Sequence, residues 1–260
     1  MAELIVNPQG PIGHIIFANE ARYNAVTHDM WLAFPKAIAQ LDADPDIRLI
    51  VLQGAGSKAF VSGADISQFK SQRTDADAQQ AYNQAVDAAY LAPLHCAKPV
   101  VAKIRGICMG GGLGLAAACD LRFCTTDSRF RMPAARLGLG YGATGVSRFL
   151  AVLGLQNTLD VFLSARIFDA AEALRMGFVS QVAVPEAFDA QVDTYCSLLA
   201  ENAPLTLRAL KKTVFELGRP AHERDMAAVN AAIKTCSESA DYREGSQAFM
   251  EKRPPVFRGL

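Results

Sequence analysis

The residues best suited to chemistry in this sequence are glycines, in the segment GICMGGGLGLAAACD that spans residues 106–120. A glycine inside a helix costs about 1 kcal/mol relative to alanine, so a cluster of glycines at the start of a predicted helix requires a reason. The first amide N–H groups of a helix lack an intrahelical acceptor, and the helix dipole favours negative charge beside them. Glycines that let a carbonyl oxygen approach two such donors would form an oxyanion hole.

These glycines could also serve nucleotide binding or the packing of a helix. The stretch Gly112-Leu-Gly114-Leu-Ala-Ala fits a dinucleotide-binding GxGxxA pattern, but no acidic residue ends a predicted strand about twenty positions later. A phosphate-binding P-loop requires Gly-Lys followed by Ser or Thr, and the segment has no such sequence. Close packing of a helix on a sheet also uses glycine and accounts for the segment equally well.

The elements that must position this segment alternate along the chain. Four short β-type runs are predicted, at residues 12–17, 49–53, 100–104 and 121–125. An amphipathic pattern predicts a helix over residues 27–41, and the polar segment 68–90 is predicted to be a solvated helix or a lid. Strands alternating with helices indicate an α/β architecture. After about residue 198 only helices are predicted, over residues 201–217, 222–237 and 241–252.

Length, composition and charge limit the classes of protein to which this chain can belong. The chain has 260 residues, of which 51% are hydrophobic and 20% charged, so it can bury a sizeable core. Lysine and arginine together number 26, and so do aspartate and glutamate. With no net charge to steer it, the chain is expected to bind neither nucleic acid nor a membrane.

Compartment and metal content can be predicted from the N-terminus, the cysteines and the histidines. The first residues lack the basic start and apolar core of a signal peptide. The six cysteines form no CxxC pair, so we expect reduced thiols in a cytoplasmic protein. The four histidines are far apart and form neither HxxxH nor HExxH, so no metal site is expected.

Several separated motifs, in order along nearly the whole chain, resemble the crotonase superfamily of enoyl-CoA hydratases and isomerases. They are ARYNAV (21–26), KAFVSGADIS (58–67), GICMGGGLGLAAACDLR (106–122), FRMPAARLGLGYGATGVSRFL (130–150) and FMEKRPPVFRG (249–259). The resemblance implies an α/β fold, with a spiral of ββα turns over residues 1–197 that binds CoA and the acyl group. It also implies a helical region over residues 198–260 that drives assembly into a homotrimer or a dimer of trimers.

The same resemblance implies a set of site residues. The substrates would be acyl-CoA thioesters, with coenzyme A bound only as part of the substrate and no permanent cofactor. The two oxyanion donors would be the amide N–H groups of Ala64 and Gly111. The residues near CoA would be Arg22, Ala25, Ala64, Asp65, Ile66, Phe249 and Lys252, the last two from this subunit or a neighbouring one.

The sequence leaves the family pattern where hydratases carry two glutamates. The matching positions are Gly114 and Ala134, and no glutamate occurs between Glu20 and Glu172. Hydration of a C=C bond needs an acid/base pair, so weak or absent crotonyl-CoA hydratase activity is expected.

A tyrosine in the following loop suggests a different chemistry. Tyr141 resembles the tyrosine that holds the departing carboxylate in malonyl-type CoA decarboxylases of the family, although those enzymes carry a histidine where this chain has Ala64. Tyr141 alternatively only packs its glycine-rich loop. Decarboxylation or C–C bond cleavage is therefore favoured, thioester hydrolysis is a further possibility, and the alternatives are a weak hydratase or a catalytically silent acyl-CoA-binding protein. The sequence does not identify the acyl group.

Overall fold

The computed structural model describes residues 2–65 and 76–260. Its strands are β1 (Glu3–Gln9), β2 (Ile12–Ala18), β3 (Leu49–Gly54), β4 (Ala59–Val61), β5 (Val100–Ile104), β6 (Ile107–Met109), β7 (Leu121–Thr125), β8 (Arg129–Arg131), β9 (Phe168–Asp169) and β10 (Gln181–Ala183). In these two stretches they form a six-stranded sheet, in the order β1-β2-β3-β5-β7-β10, and a four-stranded sheet, in the order β4-β6-β8-β9.

The α-helices of the described part fall between the strands and at the C-terminal end. They are α1 (His28–Ala43), α2 (Ala76–His95), α3 (Gly111–Ala118), α4 (Ala143–Ser164), α5 (Ala170–Arg175), α6 (Pro185–Glu201), α7 (Pro204–Leu217), α8 (Met226–Glu238) and α9 (Ala240–Glu251). Short 3-10 turns lie at Glu20–Arg22, Ala134–Leu137 and Ala221–Glu223.

One ββα unit occurs three times in succession, which confirms the predicted spiral. β3 and β4 precede α2, β5 and β6 precede α3, and β7 and β8 precede α4. The first strands of the units pair in parallel in the six-stranded sheet, and the second strands pair in parallel in the four-stranded sheet. Because the carboxyl ends of parallel strands meet at one edge, the turns that follow β4 and β6 lie side by side.

The six-stranded sheet is covered on both faces, which explains its continuous apolar strands. In β3, Ile50 and Leu52 belong to one apolar cluster, whereas Leu49 and Val51 belong to another on the opposite face. The strand β1, which the sequence did not predict, joins β2 in an antiparallel hairpin at one edge. Its residues alternate between half-buried and exposed and include Pro8, which weakens the β-type pattern.

The first helix starts where the sequence predicted and ends slightly later. The Thr27 hydroxyl accepts a hydrogen bond from the Met30 amide at 3.3 Å and caps α1. The predicted segment 68–90 is only partly described, since residues 68–75 lie outside the described residues. Over its described length α2 is not merely solvated, because Tyr82, Ala89 and Tyr90 are buried. This face packs against α1.

Of the described residues, only α4 forms a helix long and apolar enough to cross a membrane, by length and composition alone. The chain leaves helical geometry inside it at Gly154, where φ is 70° and ψ is 174°. Two shorter helical pieces therefore replace one continuous span of the length a bilayer requires. The expectation that the protein binds no membrane stays a prediction.

The C-terminal part is helical, as predicted, with shifted starts. Proline at the first helical position sets the start of α7 at Pro204. His222 lies in a 3-10 turn before α8, which begins at Met226 behind the Asp225 cap. The boundary predicted between residues 197 and 198 falls inside α6. The division at that point and the role in trimerisation stay predictions.

Candidate active site

The turn after β4 is aligned by a single parallel bridge between Val26 and Ala64. The Val26 amide donates to the Gly63 carbonyl at 2.8 Å, and the Asp65 amide donates to the Val26 carbonyl at 2.9 Å. Because these two bonds use the groups on either side of Ala64, the N–H of Ala64 itself is directed to the opposite edge. It therefore faces away from Val26 and is available to a ligand.

The turn after β6 brings the start of α3 to the same place. Gly110 has a φ of 52° and a ψ of −119°, which favours glycine, and its amide donates to the Arg131 carbonyl at 2.9 Å. The N–H of Gly111 is the first of α3 and has no intrahelical acceptor. A Cβ built on Gly111 would lie 3.6 Å from the amide nitrogen of Ala64 and 3.0 Å from the Trp31 ring.

Both turns open onto a cavity of about 290 Å³. It contains all three predicted catalytic residues, Ala64, Gly111 and Tyr141. Its described lining residues are Trp31, Ala64, Tyr82, Asn83, Val86, Asp87, Tyr90, Gly111, Leu139, Gly140, Tyr141, Gly142 and Gly145. The cavity is mostly apolar and aromatic, as small-molecule sites usually are, with few polar groups to orient a ligand.

Two tyrosine hydroxyls meet beside Gly114. The hydroxyls of Tyr90 and Tyr141 lie 2.8 Å apart and share a hydrogen bond, and the two rings are stacked with centroids 6.3 Å apart. A Cβ built on Gly114 would lie 2.5 Å from the Tyr90 hydroxyl and 2.7 Å from the Tyr141 hydroxyl. Since real Cβ atoms do not approach so closely, any side chain at 114 would displace the tyrosine pair.

The environment keeps both tyrosines neutral. Burial raises the pKa of Tyr90 well above its ordinary value, and the neighbouring Tyr141 raises it further. Burial likewise raises the pKa of Tyr141, partly offset by the hydrogen bond to Tyr90. The pair therefore offers hydroxyl donors to a ligand at neutral pH, not a base.

The raised pKa values of Tyr90 and Tyr141 are expected to be detectable in an alkaline titration. Tyr90 and Tyr141 should stay protonated in the folded protein past about pH 10, where an ordinary tyrosine ionises. The unfolded chain loses these protons first, so the free energy of unfolding should fall as the pH rises above that value. Near-ultraviolet tyrosinate absorbance of the wild type and of the Tyr90→Phe/Tyr141→Phe variant should match until unfolding begins. A smaller amplitude in the folded variant would contradict the prediction.

The residues predicted to lie near CoA fall into two groups. Arg22 and Asp65 form an ion pair at 2.7 Å beside the turn that contains Ala64. In the same turn, the Ser62 hydroxyl donates a hydrogen bond to the Arg22 carbonyl at 3.0 Å. The neighbouring Ala25 is buried. Ile66 lies outside the described residues.

The second group lies on the C-terminal helix. Phe249 is 86% exposed on α9, and Lys252 caps the end of that helix. Neither is among the described residues that line the cavity of this subunit; Phe249 instead lines a separate groove with Tyr242 and Phe257. Their predicted contact with CoA stays a prediction and would require a neighbouring subunit.

Sequence reasoning named none of the lining residues on α1 and α2, which are Trp31, Tyr82, Asn83, Val86, Asp87 and Tyr90. On α2, Asn83, Val86, Asp87 and Tyr90 have the spacing i, i+3, i+4 and i+7 of one helical face. In the sequence, that spacing indicates that one face of the helix packs against other parts of the protein. The surrounding alanines, glutamines and aspartates hid it, because they made the segment look solvated.

The cysteines and possible metal ligands lie outside this chemistry. All six cysteines are free thiols, and burial raises the pKa of the Cys119 thiol to about 12, which keeps it protonated. No group of three histidine, cysteine, aspartate or glutamate side chains within residues 2–65 and 76–260 is arranged to hold a metal ion. The expected absence of a metal site stays a prediction.

Comparison with known proteins places the chain in a family. A model of the enoyl-CoA hydratase/isomerase family matches residues 8–259. The chain belongs to the enoyl-CoA hydratase/isomerase family. Among its relatives, the peroxisomal Delta(3,5)-Delta(2,4)-dienoyl-CoA isomerase of Arabidopsis thaliana is 31% identical over 265 residues, covering 98% of this chain and 95% of the relative. The (E)-benzylidenesuccinyl-CoA hydratase of Thauera aromatica is 32% identical over 222 residues, covering 85% of both chains.

Solved structures agree with this membership. A crystal structure described as an enoyl-CoA hydratase/carnithine racemase from Magnetospirillum magneticum has a TM-score of 0.93 and 32% identity, covering 100% of this chain and 97% of that chain. The crotonase resemblance and the α/β fold are thus confirmed. Members of the enoyl-CoA hydratase/isomerase family act on CoA thioesters, and the relatives' names include both hydratase and isomerase.

Proposed function

We propose that this protein is an acyl-CoA enzyme that stabilises a negative oxygen at the thioester carbonyl. One observation carries the proposal: Ala64 and Gly111, from adjacent turns, both line the same cavity, and within the described residues neither amide N–H donates to a backbone carbonyl. Two donors aimed at a developing oxyanion stabilise the transition state more than the ground state, which is the condition for a lower barrier. An enolate or a tetrahedral intermediate would gain equally from this arrangement.

The acyl chemistry is proposed to differ from simple hydration. Neither Gly114 nor Ala134 carries a carboxylate, and the space next to Gly114 is filled by the hydroxyls of Tyr90 and Tyr141. One hydroxyl hydrogen is used inside the pair, so the second is free to donate to a substrate oxygen. These features favour C–C bond cleavage or decarboxylation, each of which leads to an enolate that the two amides can hold.

A silent acyl-CoA-binding protein is the second candidate, favoured by the missing carboxylates at 114 and 134. Such a protein would bind a thioester in the cavity and release it unchanged. A weak enoyl-CoA hydratase would instead convert crotonyl-CoA slowly. The three possibilities differ in the mass of the product and are separated by one experiment.

The experiment is a panel of acyl-CoA thioesters incubated with the protein and followed by mass spectrometry. We expect loss of CO₂, or cleavage into a shorter thioester, from at least one carboxylated or oxo-acyl member, and little gain of water by crotonyl-CoA. Tyr141→Phe should lower kcat on that member about 10- to 100-fold, the value of one hydrogen bond to a charged group. The matched control is Tyr195→Phe, which alters a tyrosine that packs on Phe123 and is not among the described residues lining the cavity.

The outcomes assign the reaction directly. Binding without turnover of any member would favour the silent protein, and hydration at ordinary rates would contradict the proposed chemistry. A Tyr141→Phe protein as active as the wild type would remove Tyr141 from the mechanism.

Assembly and location complete the proposal. A homotrimer or a dimer of trimers is supported by apolar residues left exposed at the C-terminal end, where Phe249, Met250 and Val256 are 86%, 76% and 66% exposed. The free thiols are consistent with a cytoplasmic protein. Acyl-CoA is the proposed partner.

A further inference from the structure

The cavity contains one charged side chain that the family resemblance does not assign. Of the described lining residues, only Asp87 carries a carboxylate. Asp87 lies on α2, is half-buried, and belongs to the helical face that also presents Tyr90 to the cavity. Within the described part of the chain it forms no ion pair, in contrast to Asp65, which is paired with Arg22.

Asp87 lies beside the glycine-rich loop that carries Tyr141 and precedes α4. A Cβ built on Gly142 would lie 3.6 Å from Oδ1 of Asp87. The charge of Asp87 makes a minor contribution to the raised pKa of both tyrosines, after burial and, for Tyr90, after the larger effects of Tyr141 and Tyr82. The carboxylate therefore stands at the wall of the cavity formed by α2 and the loop before α4.

We propose that Asp87 is the catalytic acid/base of this site, exchanging a proton with the carbon next to the thioester. The Cα–H bond of the acyl group breaks and its proton moves to a carboxylate oxygen of Asp87. The electron pair forms the C=C bond of an enolate, whose oxygen accepts hydrogen bonds from Ala64 and Gly111. The reverse step returns a proton to the same carbon, with no oxidant or further reactant.

This inference rests on the proposed function, because an enolate forms only if the thioester oxygen accepts hydrogen bonds from the two amides. It also narrows that function. A fixed carboxylate in a mostly apolar cavity repels a second one, so Asp87 disfavours a substrate whose acyl tail ends in a carboxylate. Among the proposed reactions it favours C–C bond cleavage, in which the enolate product must be protonated at carbon.

Proton exchange provides a test that does not require the natural acyl group. Saturated acyl-CoA thioesters of increasing chain length are incubated with the protein in D₂O, and mass spectrometry follows replacement of the α-hydrogens by deuterium. The wild type is expected to exchange at least one member. Asp87→Asn, which keeps the shape of the side chain, should lower the exchange rate about 100-fold or more, the usual contribution of a general acid/base.

The matched control is Asp77→Asn, which removes a carboxylate from the first turn of the same helix, about 15 Å from Asp87 along the axis. It should exchange like the wild type. Calorimetric binding of the same thioester and the thermal midpoint of each variant separate loss of exchange from loss of binding or folding.

The results distinguish failure of the Asp87 role from failure of the proposed function. Exchange by Asp87→Asn at the wild-type rate, while Gly111→Pro is inactive, would overturn the role of Asp87 and leave the proposed function intact. Absence of exchange in a wild type that binds the thioesters would overturn that role as well. Failure of the wild type to bind any thioester would overturn the proposed function itself.

Discussion

Replacing Gly111 with proline is expected to lower kcat on the thioester substrate by about 10²–10³-fold, the usual cost of losing one oxyanion donor. Proline has no N–H, so the substitution removes one of the two donors. It suits the backbone of a first helical position, where the N–H has no intrahelical partner and a φ near −65° is favourable. Helix α3 should therefore keep its structure.

Gly111→Ala is the matched control, because it adds the same Cβ and retains the N–H. That Cβ would lie 3.0 Å from the Trp31 ring, so a small loss of activity from the close contact is expected. Steady-state kinetics of the three proteins separate the two effects. Equal activities of the alanine and proline variants would show that the Gly111 amide does not stabilise the reacting oxygen.

Replacing Arg122 with methionine is expected to lower the free energy of unfolding by about 3 kcal/mol, because it leaves buried carbonyl acceptors unsatisfied. The buried Arg122 guanidinium donates to the Phe178 carbonyl at 2.5 Å and to the Cys119 carbonyl at 2.6 Å. It also lies over the Phe178 ring, 5.5 Å from the centroid. For a chain of this size the thermal midpoint should fall by roughly 6–12 °C.

Arg175→Met is the matched control, since Arg175 is 68% exposed and contacts Glu172 only at 3.7 Å. Surface substitutions of this kind change stability by about 0.5 kcal/mol or less. Urea denaturation and thermal unfolding of both variants give the comparison. A midpoint for Arg122→Met that equals the control's would mean that the carbonyls find new partners.

The two substitutions test opposite ends of one short helix. Gly111, at the N-terminus of α3, lines the cavity, and carbonyls at the C-terminal end of this helix accept hydrogen bonds from Arg122. A cation at that end also complements the helix dipole. Arg122 thus holds the helix that positions Gly111, and a partial loss of activity in Arg122→Met should follow its loss of stability.

Local sequence was sufficient to predict the α/β class and the first strand of each repeated unit, whereas the short second strands β4, β6 and β8 were not predicted. The strands β3, β5 and β7 are apolar along most of their length because both faces of their sheet are covered. The helix α1 was predicted from its cap and its amphipathic pattern. The turns at Ala64 and Gly111 were predicted as a pair from their glycines and from the family resemblance. Their catalytic roles stay predictions.

Long-range packing decided what local patterns did not contain. The strand β1 has a weak pattern of its own and is held by pairing with β2. The boundary predicted after residue 197 lies inside α6, since the alternation of predicted strands and helices ends near that point while the helix itself continues to Glu201.

The sequence by itself determined that two glycine turns follow neighbouring strands, and that carboxylates are missing at Gly114 and Ala134. Only the tertiary structure decided which side chains lie beside Gly114 and line the cavity. It brings Tyr90 to Tyr141 across 51 residues of chain and sets Asp87 on the wall of the same cavity. The pairing of parallel strands and the conformations of glycine turns depend on residues that are close in the sequence or on adjacent strands. The approach of α2 to the loop before α4 depends instead on how complete ββα units pack.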